Sequence, residues 1–299
     1  MRSIRIYWYL LGVALLSACA PLKPPLGKDI LWVDPTAPGQ IARGLGFSSR
    51  YTPSVSRDST GDQVFVSFTE TNGANKLILI SADVVQVRDL FHDALFDDAG
   101  REVWWYNTSK RPQLENGFLL PTNVGIEDGH NVTDGRFIAL FRRSTGEAWI
   151  APTQSPLTEL LTLPRGARLW LFLARGDRLH VFFVGDTLRY VEYEVNGSAA
   201  HLVRSRDFKW AGLIYDFDPE TGLMLVCSDA FMFQHAYLAN VNTGARRRLG
   251  PAGDTAYFVK DAVIKQYREA LKKAEAAAKA KETTLKGFTL EPENVLAAP

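Results

Sequence analysis

Three residues in one loop have side chains of the types that bind ligands. Glu127, Asp128 and His130 lie in a polar, glycine-containing segment between two apolar runs. Loops at strand ends carry binding residues disproportionately often. The sequence therefore predicts ligand binding at Glu127, Asp128 and His130. It contains no residue pattern that predicts a bound metal or cofactor.

A second acidic group has the spacing with which a calcium-binding loop begins. It consists of Asp216, Asp218 and Glu220. Such a loop needs glycine at its sixth position and a carboxylate at its twelfth, but Thr221 and Cys227 stand there. The sequence predicts a hairpin turn at these residues instead.

The remaining chemistry is less defined. His92, Asp93, Asp97 and Asp98 fall close together, but charged surface faces are usually just solvated. The chain has no Gly-x-Ser-x-Gly elbow, phosphate-binding loop, Cys-x-x-Cys or His-Glu-x-x-His motif. Glycan hydrolysis needs only two carboxyl groups about 5–10 Å apart. With 33 acidic residues the sequence leaves that reaction open, although the absence of a catalytic motif favours a protein that is not an enzyme.

The composition is that of a nearly neutral protein with a hydrophobic core. The chain has 34 basic and 33 acidic residues, and 46% of its residues are hydrophobic. That hydrophobic content is ordinary for a globular protein. A neutral balance gives no electrostatic basis for binding nucleic acid, and we predict no nucleic-acid partner.

The elements that position these residues are predicted to be β-strands, from about residue 30 to 259. Short β-branched or aromatic runs alternate with turn dipeptides, which is typical of antiparallel sheets. The clearest runs are Val64–Phe68, Leu77–Ile80, Phe137–Phe141, Leu179–Val184 and Leu223–Val226. The turn dipeptides end in Gly73, Gly100, Gly146, Gly197, Gly222 and Gly244.

The turn glycines recur at an almost constant interval. Gly100, Gly146, Gly197 and Gly244 are 46, 51 and 47 residues apart, and Gly129, Gly176 and Gly222 are 47 and 46 apart. A period near 40–50 residues with about four short strands per repeat is typical of β-propellers. The turns Asp218-Pro219-Glu220-Thr221-Gly222 and Val241-Asn242-Thr243-Gly244 make residues 134–250 resemble bacterial β-propeller repeats. We therefore expect a mainly β, antiparallel, repeat-containing domain, a propeller of about five blades.

One segment favours a different fold. Val84, Val87, Phe91 and Leu95 recur at helical spacing after Ser81, which could cap a helix. This pattern predicts a helix over residues 82–97. Such a helix would interrupt the first repeat, so a β-sandwich or an α+β domain is the alternative.

Residues 260–283 are predicted to form a charged, alanine-rich helix, followed by a flexible tail over 284–299. A narrow apolar stripe steps by three and four residues through Ile264, Tyr267, Leu271, Ala274 and Ala278. Eight basic and four acidic residues lie between 260 and 286. We expect this helix to dock an envelope protein. We also expect it to be separable, so that deletion of residues 260–299 leaves the β domain folded.

The amino terminus has the parts of a secretory signal. Arg2 and Arg5 precede an apolar run of eleven residues that ends at Leu16. The sequence Leu16-Ser17-Ala18-Cys19 resembles the lipobox of bacterial lipoproteins. The resemblance implies a signal peptide over residues 1–18, a diacylglyceryl thioether on Cys19 and an acyl chain such as palmitate on the new amino terminus. Ala20 then implies sorting to the outer membrane, on its periplasmic side, if the cell is Gram-negative.

Cys19 is thus the predicted lipidation site, and membrane lipid is the predicted partner there. The proline-rich residues 19–29 are expected to be an extended tether. Lipidation would leave Cys227 as the other cysteine. Because it lies in an apolar run, we predict a buried, inert thiol.

The sequence as a whole predicts a periplasm-facing, membrane-anchored lipoprotein. Its β domain, residues 30–259, would bind or scaffold cell-envelope components. The alternative is a lipid-anchored hydrolase of glycans that uses paired carboxylates on a propeller. Carboxylates from separate blades that converge would favour the hydrolase, and a closed or apolar centre would favour the binding module.

Overall fold

The computed structural model consists mainly of β-strands, with two α-helices. It describes residues 22–91, 94–106, 112–114, 119–126, 130–153, 159–163, 168–184, 187–210, 212–228, 235–251 and 255–287. Helix α1 spans Ala37–Gly44 and helix α2 spans Asp261–Gly287. The strands of the first half are β1 (Lys28–Val33), β2 (Ser54–Arg57), β3 (Gln63–Thr69), β4 (Asn75–Ser81), β5 (Val85–Leu90), β6 (Ala94–Phe96), β7 (Glu102–Tyr106), β8 (Pro112–Leu114), β9 (Val124–Ile126), β10 (His130–Thr133) and β11 (Phe137–Arg142). Those of the second half are β12 (Ala148–Pro152), β13 (Leu161–Thr162), β14 (Arg168–Arg175), β15 (Arg178–Val184), β16 (Leu188–Asn196), β17 (Ala199–Phe208), β18 (Gly212–Asp218), β19 (Leu223–Ser228), β20 (His235–Asn240), β21 (Arg246–Pro251) and β22 (Thr255–Lys260).

Successive strands form antiparallel sheets that follow one another along the chain. In the described ranges, sheet 1 is β2–β5, sheet 2 is β6–β8, sheet 3 is β9 with β11–β13, sheet 4 is β14–β17 with β10 added parallel to β14, and sheet 5 is β18–β21. Strands β1 and β22, from opposite ends of the β region, pair antiparallel with Lys28 opposite Lys260. We call this pair the closing ribbon. Consecutive up-and-down sheets of about four strands are the blades of a propeller. The predicted mainly β propeller with a C-terminal helix is therefore confirmed.

Neighbouring sheets pack face to face through apolar side chains. Phe172 on one face of sheet 4 packs in a buried cluster with Ile150 of sheet 3. On the other face, Phe182 meets Phe217 of sheet 5, with ring centroids 5.0 Å apart. Successive residues of a strand point to opposite faces, so every central sheet contributes to two cores.

The closing ribbon lies between the last sheet and the first. Ile30 and Phe258 pack in a cluster with sheet 5. Leu31 and Val259, which point to the opposite face, pack in a cluster with sheet 1 and both helices. The ribbon and the helices thus form the closing sector of the ring, in the place that a further blade would occupy.

The predicted turns are confirmed at the turn glycines. The glycines that end the predicted turn dipeptides all have positive φ and lie in hairpin turns; they are Gly73, Gly100, Gly146, Gly197, Gly222 and Gly244. Gly176 and Gly222 lie in the first hairpins of sheets 4 and 5, as the period implies. Gly146 is different, because it lies between β11 and β12, in the middle of sheet 3. Its regular spacing from Gly197 therefore does not mark equivalent positions, and Gly129 lies outside the described residues.

The helix predicted over residues 82–97 is wrong. Residues 85–90 form β5 and residues 94–96 form β6. Val85 and Val87 pack towards the helices while Leu90 packs on the other face of sheet 1, which is the period of a strand. Phe91 is 88% exposed, so it does not continue a buried apolar face from Val87. The sandwich and α+β alternatives depended on this helix.

Cys227 is buried, as predicted, with 1% of its surface exposed, and it forms no disulfide. In the described part of the chain, neither helix is both long and apolar enough to cross a membrane.

Candidate functional site

The residues predicted for ligand binding are only partly described. Glu127 and Asp128 lie outside the described residues, as does Cys19. His130 begins β10, opposite Leu171 of β14. The predicted loop therefore connects sheet 3 to the inner edge of sheet 4, and its ligand binding stays a prediction.

Turns of neighbouring sheets lie side by side at one end of the ring. We call them the turn circle; they comprise the first hairpin turns of sheets 1, 2, 4 and 5, at residues 58–62, 97–101, 175–178 and 218–222, and the connection between β10 and β11, at residues 134–136. The backbone N–H of Ser59 donates to Oδ1 of Asp98 in the next turn, at 2.6 Å. The backbone N–H of Gly176 donates to Oδ2 of Asp134, at 2.9 Å. Adjacent turns are therefore joined directly.

Ion pairs continue these links around the ring. They are Arg175–Glu220 at 2.7 Å, Lys28–Asp218 at 2.5 Å and Lys260–Asp62 at 2.5 Å. The first joins the turns of sheets 4 and 5, and the other two join the closing ribbon to sheets 5 and 1. Gly61 allows the last junction to be close, because a Cβ there would lie 2.6 Å from the carbonyl oxygen of Phe258.

A buried ion pair lies directly beneath this junction. Arg57 of sheet 1 contacts both carboxylate oxygens of Asp216 in sheet 5, each at 2.7 Å, although 159 residues separate them. Both side chains are at most 2% exposed. Asp216 also accepts the backbone N–H of Phe258, at 2.7 Å, so it links sheet 1, sheet 5 and the ribbon. A bidentate arginine–carboxylate pair fixes geometry as well as charge.

Asp218 is the second acid at this closure. Burial opposes its ionisation, but hydrogen bonds from Lys28 and Thr221 outweigh burial and hold its pKa below its ordinary value. The Thr221 backbone N–H and hydroxyl both donate to Oδ2. The predicted hairpin turn at residues 218–222 is thus confirmed, and its carboxylates stabilise the ring closure.

Carboxylates from separate sheets do converge in the turn circle. Burial and the nearby carboxylates of Asp58 and Asp134 raise the pKa of Asp98. Each of the three nevertheless accepts hydrogen bonds from turn residues: Asp98 from Ser59, Asp58 from Gln63 and Thr60, and Asp134 from Arg136 and Gly176. Within the described residues, no group of three His, Cys, Asp or Glu side chains has the geometry to hold a metal ion. Asp98 and Asp134 join neighbouring turns, and Asp58 stabilises its own turn.

A polar cluster is also buried between sheets 4 and 5. His180 Nδ1 lies 3.0 Å from the hydroxyl of Tyr190, which donates to Glu192 at 3.0 Å. Arg204 pairs with Glu192 and lies over the Tyr190 ring. Burial lowers the pKa of His180 to about 4. The members satisfy one another and so fix sheet packing.

The outer part of the closing sector is different in character. Helix α2 is held by Val263, Ile264 and Tyr267, which are at most 3% exposed. It crosses α1 so closely that a Cβ on Gly44 would lie 2.4 Å from the Cβ of Ala274. Beyond Ala274 the helix is exposed as far as its side chains are described, apart from the half-buried Ala277.

A groove of about 780 Å³ opens at this helix crossing. Its surface is mainly apolar and its polar rim is charged. The apolar lining is Gly44, Gly46, Phe47, Ala274, Ala277 and Ala278, and the rim is Gln40, Arg43, Ser48, Glu275 and Lys279. We call it the helix groove. Its small residues leave room for another element to approach closely.

The helix predicted at residues 260–283 is confirmed as a helix, but its independence is not. Its first half belongs to the core that contains Leu31 and Val259. The apolar stripe found in the sequence ends at Ala274, and Ala278 is exposed in the groove. Sequence reasoning missed α1, whose Pro38 near the start is a helix signal that was available.

The fold and the turn circle define a protein of the β-propeller class. No protein-family model and no curated protein matches the sequence. Solved structures with a similar chain trace include the putative TolB from Agrobacterium tumefaciens, with 13% identity over 68% of this chain and 83% of that chain and a TM-score of 0.41. A functionally unknown protein from Desulfotomaculum acetoxidans is 12% identical over 70% of this chain and 76% of that chain, with a TM-score of 0.39. Hydrazine synthase from Kuenenia stuttgartiensis is 10% identical over 66% of this chain and 65% of that chain, with a TM-score of 0.36. At these scores the likeness carries no argument about function, and the fold rests on strand order and register.

Proposed function

We propose that this chain is a lipid-anchored, periplasm-facing module of the cell envelope that binds a partner protein at its helix groove. The single observation that carries the proposal is the contrast within α2. Its first half is fixed in the core, and its continuation is an exposed helix beside an apolar groove. A helix that is held rigidly at one end and exposed beyond it has little conformational freedom left to lose on binding, which favours association.

The charges of the exposed half indicate the chemistry of the partner. Beyond Ala274, three lysines (Lys279, Lys281 and Lys286) outnumber two glutamates (Glu275 and Glu282), and Arg43 stands on the groove rim. Self-association through this surface would bring like charges together, which opposes binding. The partner is therefore expected to present an acidic, amphipathic helix. The alanine and glycine lining suits close helix packing better than membrane insertion, which needs larger apolar side chains.

The anchor is proposed from the lipobox-like sequence that ends at Cys19. Attachment of two or more acyl chains holds a protein stably at a membrane without a protein span. Replacement Cys19→Ala should abolish metabolic labelling with palmitate and release the protein from the membrane fraction. The matched control is Cys227→Ala, which removes the other cysteine and should leave both unchanged. Labelling that persists in Cys19→Ala would contradict the anchor.

Partner binding is tested by photo-crosslinking in intact cells from two neighbouring positions of α2. Ala278 lines the groove, whereas Ala276 is exposed on the same helix but does not line it. A photoreactive residue at position 278 should capture one defined protein, and the same residue at 276 should not. The captured protein should bind the purified chain more weakly as salt is raised. Equal capture from both positions, or none from 278, contradicts the proposed site.

A further inference from the structure

The N-terminal segment places the proposed anchor beside an aromatic pair. Leu22 is partly buried and packs in the cluster that contains Ile30 and Phe258, on the sheet-5 side of the ribbon. Only Ala20 and Pro21 separate Leu22 from Cys19. Three residue steps of about 3.3–3.6 Å reach at most about 11 Å. A lipid on Cys19 would therefore lie close to this side of the molecule.

An exposed tryptophan lies on the same side. Trp32 of β1 has the strand parity of Ile30, so it points towards sheet 5, and it is 39% exposed. Its ring meets that of Tyr215 edge to face, with centroids 6.4 Å apart. Tyr215 packs against the same cluster as Leu22. Leu22 and Tyr215 thus pack against one apolar cluster, and Trp32 contacts it through the Tyr215 ring.

These residues have the chemistry of a membrane interface. Trp and Tyr are enriched at the level of lipid headgroups, because their rings are apolar while the indole N–H and the phenol hydroxyl are polar. Lys23, next to Leu22, is exposed and can approach anionic phosphates. We infer that the side formed by Leu22, Lys23, Trp32 and Tyr215 rests on the lipid headgroups of the membrane. This inference depends on the lipid anchor of the proposed function.

The short spacer favours the membrane over a partner protein as the surface that covers this side of the molecule. A partner protein on this side would have to fit into the space that a spacer of at most about 11 Å leaves above the lipid. A headgroup layer is already there once Cys19 is acylated. The proline-rich tether expected from the sequence would then hold the body against the membrane, since Leu22 and Pro25 are packed and not extended into solvent.

The test uses tryptophan fluorescence of the full-length acylated chain in vesicles of phosphatidylethanolamine and phosphatidylglycerol. Part of the lipid carries bromine near the headgroup end of its acyl chains, which quenches tryptophans at the interface. Quenching should fall at least twofold in Trp32→Phe. The matched control is Trp210→Phe, because Trp210 packs in the cluster on the opposite face of sheet 5. Its quenching should stay unchanged.

Two results would overturn the inference: equal quenching in wild type and Trp32→Phe, or an equal loss in both variants. Thermal unfolding of both variants verifies that the fold is retained. If Trp32→Phe unfolds, iodide quenching of tryptophan fluorescence in the wild-type chain is measured instead. Quenching by iodide should fall at least twofold when the chain is reconstituted into vesicles. Unchanged quenching contradicts the inference. Mass analysis of the N-terminal peptide separates the two proposals. An acylated Cys19 with quenching independent of Trp32 overturns only the membrane contact, and an unmodified Cys19 overturns the anchor.

Discussion

The inner and outer parts of the closing sector contain similar charged residues in different surroundings. In the inner part, Arg57 and Asp216 are buried and matched to each other, and Asp216 also accepts a backbone N–H from the ribbon. In the outer part, Arg43 and Lys279 stand on the rim of an apolar groove. Charge that is matched and buried fixes the ring. Charged residues beside an open apolar surface are available to bind a partner protein.

The same contrast runs along one helix. Ile264 and Tyr267 are buried in the cluster formed with sheet 1, the closing ribbon and α1, while Ala278, about three turns beyond Tyr267, is exposed. Burial of large side chains contributes about 1.5–3 kcal/mol each to the free energy of unfolding, and exposed alanine contributes almost nothing. Substitutions in the buried half of α2 should therefore lower stability, and substitutions in the exposed half should lower partner binding.

The largest effect is expected from Arg57→Met. It leaves the Asp216 carboxylate buried without its cation, which should lower the free energy of unfolding by about 3–5 kcal/mol. Chemical denaturation of the full chain measures this loss. The double variant Arg57→Met with Asp216→Leu should recover part of it. A single variant as stable as wild type would mean that the pair does not close the ring.

A pH effect of intermediate size is expected from His180. Its pKa is about 4 in the folded chain because of burial, against about 6.5 unfolded, so the unfolded state binds the proton first as pH falls. This group's contribution is present above pH 6.5 and is lost as pH falls towards 4, by about 2–3 kcal/mol. Denaturation of wild type and His180→Phe at pH 7 and pH 4.5 should show a smaller pH dependence in the variant. Identical pH dependence would show that His180 is not held neutral.

A smaller effect is expected from Ile264→Val in the inner half of α2. The side chain is 3% exposed, and loss of one buried methyl group should cost about 0.5–1.5 kcal/mol. Partner capture from position 278 should be unaffected, because Ile264 does not line the groove. Unchanged stability would place the inner half outside the core.

The smallest stability effect is expected from Ala278→Trp, which fills the groove from an exposed position. The free energy of unfolding should change by no more than about 0.5 kcal/mol, as for other surface substitutions. Binding of the captured partner should nevertheless fall at least tenfold. Ala276→Trp is the control with the same new side chain outside the groove. A partner that binds both variants equally would not use the helix groove.

The sequence predicted the parts of the fold that depend on local chemistry. Turn glycines such as Gly197 and Gly222, and strand runs such as Leu179–Val184, were found because positive φ and alternating apolar residues leave a local signature. The helix predicted over 82–97 was wrong because Val84, Val87 and Phe91 match a helical period by coincidence. Val87 instead fits a strand once β4 is available to pair with it, and Val84 lies in the connection before that strand.

The site was less predictable because its pairs are distant in sequence. Nothing near Arg57 indicates that its partner is Asp216, and the acidic spacing around Asp216 suggests a calcium loop more readily than a ring closure. The approach of Gly44 to Ala274 likewise depends on two segments that meet only after the ribbon has formed. The charged helix at the C-terminus was visible in sequence, but the division between its buried and exposed halves was not.

The most direct test of the account compares two truncations of the full chain. Removal of residues 275–299 takes away the exposed half of α2 and should change the free energy of unfolding by less than about 1 kcal/mol while abolishing binding of the purified partner that position 278 captures in the intact chain. Removal of residues 261–299 also takes away Val263, Ile264 and Tyr267, and should cost about 5 kcal/mol or unfold the chain. Equal stability of the two truncated chains, or binding of the purified partner that survives removal of residues 275–299, would contradict the division of α2 into a core half and a binding half.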